Sequence, residues 1–112
     1  MVVDDDSQIR ELMCQALTQW GHTVTCAENG AIALGFIRKQ LFDSVVTDIL
    51  MPGKDGLELI GELRRSHPGV RIVAISGGGR GSSSHYLDVA KSLGAHAVLA
   101  KPFSFSELAA AL

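Results

Sequence analysis

The chain is 112 residues long, 46% hydrophobic and 20% charged, and ten Lys and Arg against twelve Asp and Glu leave a net charge of -2. That length holds one domain with one ordinary core, and the hydrophobic content with a mean hydropathy of +0.22 excludes intrinsic disorder. The charge balance lacks the basic excess of a nucleic-acid surface, no apolar run approaches the roughly 20 residues of a membrane span, and the start runs into Asp4, Asp5 and Asp6 instead of an apolar leader, so the chain reads as soluble and cytoplasmic.

Met1-Val2-Val3 reads as the end of a buried strand, cut off on its carboxyl side by the three aspartates. A central strand normally runs about 5 residues, so the natural gene product is expected to carry more residues before Met1. Asp6 or Ser7 caps a helix in which Ile9, Leu12, Met13, Ala16, Leu17 and Trp20 recur at helical spacing as far as Gly21. Thr23 to Ala27 is β-branched enough for a second strand, Asn29-Gly30 turns the chain, and Ala31, Leu34 and Ile37 line a second helix. Asp43 to Asp48 makes a third strand, again ending in a carboxylate, with Met51-Pro52-Gly53 in the loop beyond it. Asp55 and Glu58 have capping-box spacing at the head of a third helix, with Leu57, Ile60 and Leu63 on its buried side, and Pro68-Gly69 breaks it. Val70 to Ser76 is a fourth strand and Gly77 to Ser84 a loop, after which Leu87, Ala90 and Leu93 mark a fourth helix ending at Gly94. Ala97 to Ala100 is the fifth strand, and Ser104 with Glu107 boxes the start of a last helix.

Strands alternating with helices imply right-handed crossovers and a parallel sheet with helices on both faces. Five such α/β units suit a doubly wound, flavodoxin-like sheet of order 2-1-3-4-5, whose ligand crevice lies outside the carboxyl ends of strands one and three. Asp4, Asp5 and Asp48 fall at that crevice. Cys14 and Cys26 read as free thiols, because two cysteines beside a sufficient apolar core are no disulfide framework. His22, His67, His85 and His96 have no zinc-like spacing.

Carboxylates gathered at one strand edge repel one another, and a hard divalent cation that takes oxygen ligands, such as Mg2+, is the natural compensation. Asp6 is explained as a helix cap, but Asp48 precedes a loop, so capping does not account for it. Lys101 follows the fifth strand at the same edge, where a fixed ammonium neutralises a phosphoryl group, and Ser76 ends the fourth strand with a hydroxyl to donate. Each is weak alone, since a lysine in a turn and a serine in a cap are common; gathered at one edge they are specific.

With Val3-Asp4-Asp5-Asp6, Asp48-Ile49-Leu50-Met51-Pro52-Gly53-Lys54-Asp55-Gly56, Ser76-Gly77 and Lys101-Pro102-Phe103, the chain resembles the receiver domain of two-component response regulators over essentially all of its length. The resemblance implies that residues 1–112 form one receiver domain with no output domain, either a single-domain regulator or a receiver excised from a longer protein. It implies Asp48 as phosphoryl acceptor from a sensor histidine kinase or phosphotransfer protein, and Asp4 and Asp5 as the Mg2+ pair with Asp48 and the Leu50 carbonyl. It further implies Ser76 as switch hydroxyl, Lys101 as cationic partner, and a downstream protein target or fused output domain. Two departures stand out. Val98 occupies the position three before the lysine where the family usually has Tyr or Phe, and the Gly77 to Ser84 loop is richer in glycine than usual, which reads first as a plain flexible loop and more sharply as a mobile switch segment. That loop matches neither a P-loop nor a dinucleotide fingerprint. An aspartyl-nucleophile phosphatase is disfavoured because Leu50, not a second acid, stands two residues after Asp48. A receiver-like interaction module acting without phosphorylation is the remaining alternative, and it would be expected to have lost one of the acidic pair, the acceptor or the lysine.

Overall fold

The computed structural model describes residues 1–49, 56–76 and 82–112, the stretch from 82 to 87 by its backbone alone. Its elements alternate as β1 (Val2–Val3), α1 (Ser7–Gln19), β2 (Cys26–Ala27), α2 (Gly30–Ile37), β3 (Ser44–Asp48), α3 (Gly56–Ser66), β4 (Arg71–Ser76), α4 (Ser82–Leu93), β5 (Ala97–Ala100) and α5 (Phe105–Ala111). The strands form one sheet in the order β2-β1-β3-β4-β5, and every neighbouring pair is parallel, as the alternation of strands and helices implies.

Successive strand residues point to opposite faces, so each strand feeds two cores. Val3, Val45, Ile72 and Ala74 pack with Ala33, Leu34, Ile37, Leu59, Ile60, Leu63 and Ala90 beneath α2, α3 and α4. Val2, Val46, Val73 and Ile75 pack with Met13, Leu17, Leu108 and Ala111 beneath α1 and α5. Burial on both faces explains why β3 and β4 read as near-continuous apolar runs.

The helix ends follow their sequence signals. Asp6 caps α1 by accepting from the Gln8 and Ile9 amides, and Gly21 leaves it at φ 95°, a conformation that favours glycine. Asn29 caps α2 through the Ile32 amide, and Ser104 with Glu107 completes the capping box of α5. The expected box of Asp55 with Glu58 and the Met51-Pro52-Gly53 loop fall outside the described residues.

Five details differ from the sequence reading. The second strand is only Cys26–Ala27, paired with Val2 and Val3 of β1; Thr25, just before it, contributes its carbonyl to the Val2 amide at 2.9 Å. On α1 the apolar stripe is wider than the core it meets: Met13, Ala16 and Leu17 are buried, whereas Leu12 is 56% exposed and Trp20 stacks edge-on against Phe105 at the surface. On α2 the core residue is Ala33 and not Ala31, and the backbone of α4 is already helical at Ser82, inside the stretch read as loop. Finally, Cys14 and Cys26 are joined in a disulfide and are not free thiols: the packing of α1 on the sheet brings a helix cysteine beside one on the edge strand, a proximity that sequence spacing does not reveal.

Candidate functional site

The parallel sheet brings all carboxyl strand ends to one edge, and the residues with chemistry sit there because each ends or directly follows a strand. Asp48 closes β3, Ser76 closes β4, Asp4 follows β1, and Lys101 follows β5. In the β1–β3 register Val3 faces Thr47, so the next residues, Asp4 and Asp48, lie side by side. In the β4–β5 register Ser76 faces Ala100, and the Lys101 amide donates to the Ser76 carbonyl at 2.8 Å.

One carboxylate oxygen from each of Asp4, Asp5 and Asp48 falls within 4.8 Å of the others. Asp4 is fully buried and Asp48 is 6% exposed, whereas Asp5 stands in solvent. Asp4 is the anchor of the group. Its Oδ1 accepts from the Asp6 amide at 2.9 Å, its carbonyl accepts from Arg10 Nη1 at 2.8 Å, and its amide donates to the Ala27 carbonyl at 3.2 Å. Two buried carboxylates in contact need a counter-charge, and Lys101 supplies one: its Nζ lies 3.2 Å from Asp4 Oδ2 and 3.4 Å from Asp48 Oδ2. Burial opposes the ammonium charge, but the attraction of Asp48 and then Asp4 outweighs it and holds the Lys101 pKa above its ordinary 10.5. Among the described residues, two buried carboxylates and exposed Asp5 stand against the Lys101 ammonium, an excess of negative charge on oxygen donors that fits a hard divalent cation.

Ser76 is 1% exposed, and its Oγ has no hydrogen-bond partner among the described residues. A buried hydroxyl in that state is costly unless another oxygen satisfies it at some stage of function. Val98 packs into the core on the α4 side of the sheet, so no ring occupies that position. Leu50, whose carbonyl the resemblance adds to the metal set, lies outside the described residues, as do residues 77–81 of the glycine-rich stretch.

The structure adds three residues that sequence reasoning did not assign to the site. Arg10 braces the Asp4 carbonyl from α1, and Thr47, fully buried, donates its hydroxyl to the Asp48 carbonyl at 2.9 Å. Gly56 donates its amide to the Ile49 carbonyl at 2.8 Å, and a Cβ there would collide with the Asp48 carbonyl oxygen and lie 2.6 Å from Ile49 Cα. The glycine was visible in the Asp48 to Gly56 motif, but its reason, the close approach of α3 to the end of β3, is a tertiary fact. Beside Lys101 an apolar hollow of about 450 Å³ is lined by Ile9, Leu12, Met13, Pro102, Phe103 and Phe105. Among the described residues no helix is long and apolar enough to cross a membrane.

A five-stranded parallel sheet in this order, with an acidic trio and a lysine at its carboxyl edge, defines a receiver-type α/β domain. The chain matches the family model of the response regulator receiver domain over residues 1–112, and it belongs to that family. It is 38% identical to the DNA-binding transcriptional regulator NtrC of Escherichia coli over 112 residues, which cover 97% of this chain and 23% of that protein. It is 33% identical to the transcriptional regulatory protein TcrA of Mycobacterium tuberculosis, covering all of this chain and 43% of that one. The chain thus spans less than half the length of these curated relatives. Among solved structures, the receiver domain of NtrX from Brucella abortus superposes with a TM-score of 0.89 at 33% identity, covering 97% of this chain and 90% of that domain. The family is a signalling one in two-component systems and not a conventional enzyme family.

Proposed function

We propose that residues 1–112 act as a phosphoacceptor switch in a two-component phosphorelay, with Asp48 taking a phosphoryl group from the phosphohistidine of a sensor histidine kinase or phosphotransfer protein. The observation that carries this reading is the Lys101 ammonium shared between Asp4 and Asp48 beside the Asp4, Asp5 and Asp48 oxygens.

In this reading a carboxylate oxygen of Asp48 attacks phosphorus, an O–P bond forms, the P–N bond to the imidazole breaks, and the ring leaves with its electron pair. Asp4, Asp5, Asp48 and the Leu50 carbonyl would hold Mg2+, which when bound offsets charge on the phosphoryl oxygens. Lys101 is already within reach of Asp48 and moves its ammonium from Asp48 Oδ2 to the phosphoryl group, so the charge it loses on one side is replaced on the other. Ser76 donates its hydroxyl to a phosphoryl oxygen, which gives its buried Oγ a partner. With Val98 in place of a ring, the movement of Ser76 would be relayed by main chain toward α4, along a stretch whose residues 77–81 lie outside those described.

The apolar hollow beside Lys101, with Leu12 and Phe105 exposed at its rim, suits a protein donor that must bring its phosphohistidine to this edge. Output then passes to a downstream protein or to a fused output domain, in the cytoplasm, without direct nucleic-acid contact by these residues. The deciding experiment incubates the chain with Mg2+ and acetyl phosphate and measures its intact mass. A single base-labile phosphate that disappears in Asp48→Asn supports the proposal; a chain whose mass never changes favours an interaction module that acts unphosphorylated.

A further inference from the structure

The disulfide lies outside the phosphoryl site, yet it links the two elements on which the Asp4–Asp5 turn is hung. Cys14 sits half-buried on α1, and Cys26 is exposed at the start of β2. The Asp4–Asp5 turn joins β1 to α1 and is held from both sides. On one side the amides of Val2 and Asp4 donate to the carbonyls of Thr25 and Ala27 at 2.9 and 3.2 Å; on the other, Arg10 of α1 holds the Asp4 carbonyl. With only two paired residues, β2 is the most weakly held strand of the sheet, so a covalent tie there carries a large share of what fixes it. The apolar cores on both faces do not include Cys26, so the domain has its packing without the bond.

We propose that Cys14 and Cys26 are a reversible thiol–disulfide clamp, exchanging with low-molecular-weight thiols in the folded chain, that ties α1 to β2 and sets how firmly the Asp4–Asp5 turn is held. The exposed Cys26 thiolate attacks a small disulfide such as oxidised glutathione, forming a mixed disulfide and releasing one thiolate. The Cys14 thiolate then attacks the Cys26 sulfur and releases the second, and the two cysteine protons pass to the two glutathione molecules. Reduction runs the same steps backwards, with two glutathione thiols consumed. An accessible pair of this kind in a reducing compartment is characteristically transient and redox-sensing.

The test equilibrates the folded chain in glutathione buffers of graded redox ratio, counts alkylated thiols by intact mass, and follows amide hydrogen exchange. Neither phosphate nor metal enters the measurement, so its outcome is independent of the phosphoacceptor reading. The proposal expects both cysteines to interconvert reversibly under native conditions, and the Val2 and Asp4 amides to exchange about tenfold faster in the reduced chain, with the Val46 and Ile75 amides unchanged. Cys26→Ser, altered at an exposed position, should show the faster exchange in every buffer, and Cys14→Ser should trap Cys26 as a glutathione adduct. Thiols that stay unlinked at every ratio, a bridge that forms or opens only in denaturant, or equal Val2 and Asp4 exchange in both redox forms would overturn it.

Discussion

Lys101 places its ammonium against both buried carboxylates, Asp4 and Asp48, and its removal takes that counter-charge away from each. Lys101→Ala should therefore destabilise the metal-free chain by about 2–4 kcal/mol in urea titrations, and the added Asp4→Asn change should restore part of that loss by removing one of the two like charges. Its raised pKa gives the pH dependence a sign. Because the folded value lies above 10.5, the stabilisation from Lys101 is fully present below that pH and disappears as pH rises through the folded value. The Met1 amine behaves in the opposite way. Burial lowers it from 8.0 to about 6 against the pull of Asp43, so the unfolded chain binds more protons between these values and stability rises with pH across that window. Relative to an N-acetylated chain, whose amide still donates to the Ser44 carbonyl, the unmodified chain should gain on the order of 1–2 kcal/mol from pH 6 to 8. A pH profile that acetylation leaves unchanged would show that the amine keeps its solution behaviour. Asp5→Asn, at an exposed position, should lower Mg2+ affinity and leave the thermal midpoint unchanged or higher; unaltered affinity would remove Asp5 from the metal set.

At the level of elements, the site depends on how closely α3 approaches the end of β3. Gly56→Ala forces a methyl group into the Asp48 carbonyl, so it should cost about 2–4 kcal/mol and, on the proposed function, slow phosphorylation as well, because the displaced carbonyl belongs to the proposed acceptor. A cost below about 0.5 kcal/mol would mean that α3 moves away freely. Ser104→Ala, which breaks the α5 capping box far from the acidic trio, should cost about 1 kcal/mol with phosphorylation unaffected. The order of elements was legible because each signal was local: Asp6, Asn29 and the Ser104–Glu107 pair mark helix starts, Gly21 and Gly94 mark ends, and β3 to β5 are apolar runs of strand length. What escaped the sequence needs long-range placement. The exposure of Leu12 depends on the width of the core under α1, and the Cys14–Cys26 bond depends on a helix crossing an edge strand.

In the whole molecule, a two-faced parallel sheet turns five scattered sequence positions into one edge, which is why Asp4, Asp5, Asp48, Ser76 and Lys101 were readable as a group once the sheet order was inferred. Arg10 and Thr47 were not readable, since their contacts are to backbone carbonyls, Arg10 across a turn of chain and Thr47 within its own strand end, and neither residue type is distinctive there. The chain spans 23% of NtrC and 43% of TcrA, relatives in which the matched stretch is joined to different lengths of further chain. If Ser76 passes the signal through backbone, a beryllofluoride complex should shift amide resonances across residues 77–90; shifts confined to the neighbourhoods of Asp5 and Asp48 would place the output elsewhere. The central claim, that Asp48 is the phosphoryl acceptor, is tested most directly by intact mass after incubation with Mg2+ and acetyl phosphate, run beside Asp48→Ala. The account predicts one base-labile phosphate on the unaltered chain, none without Mg2+ and none on the variant; a phosphate that forms on Asp48→Ala at the unaltered rate would contradict it.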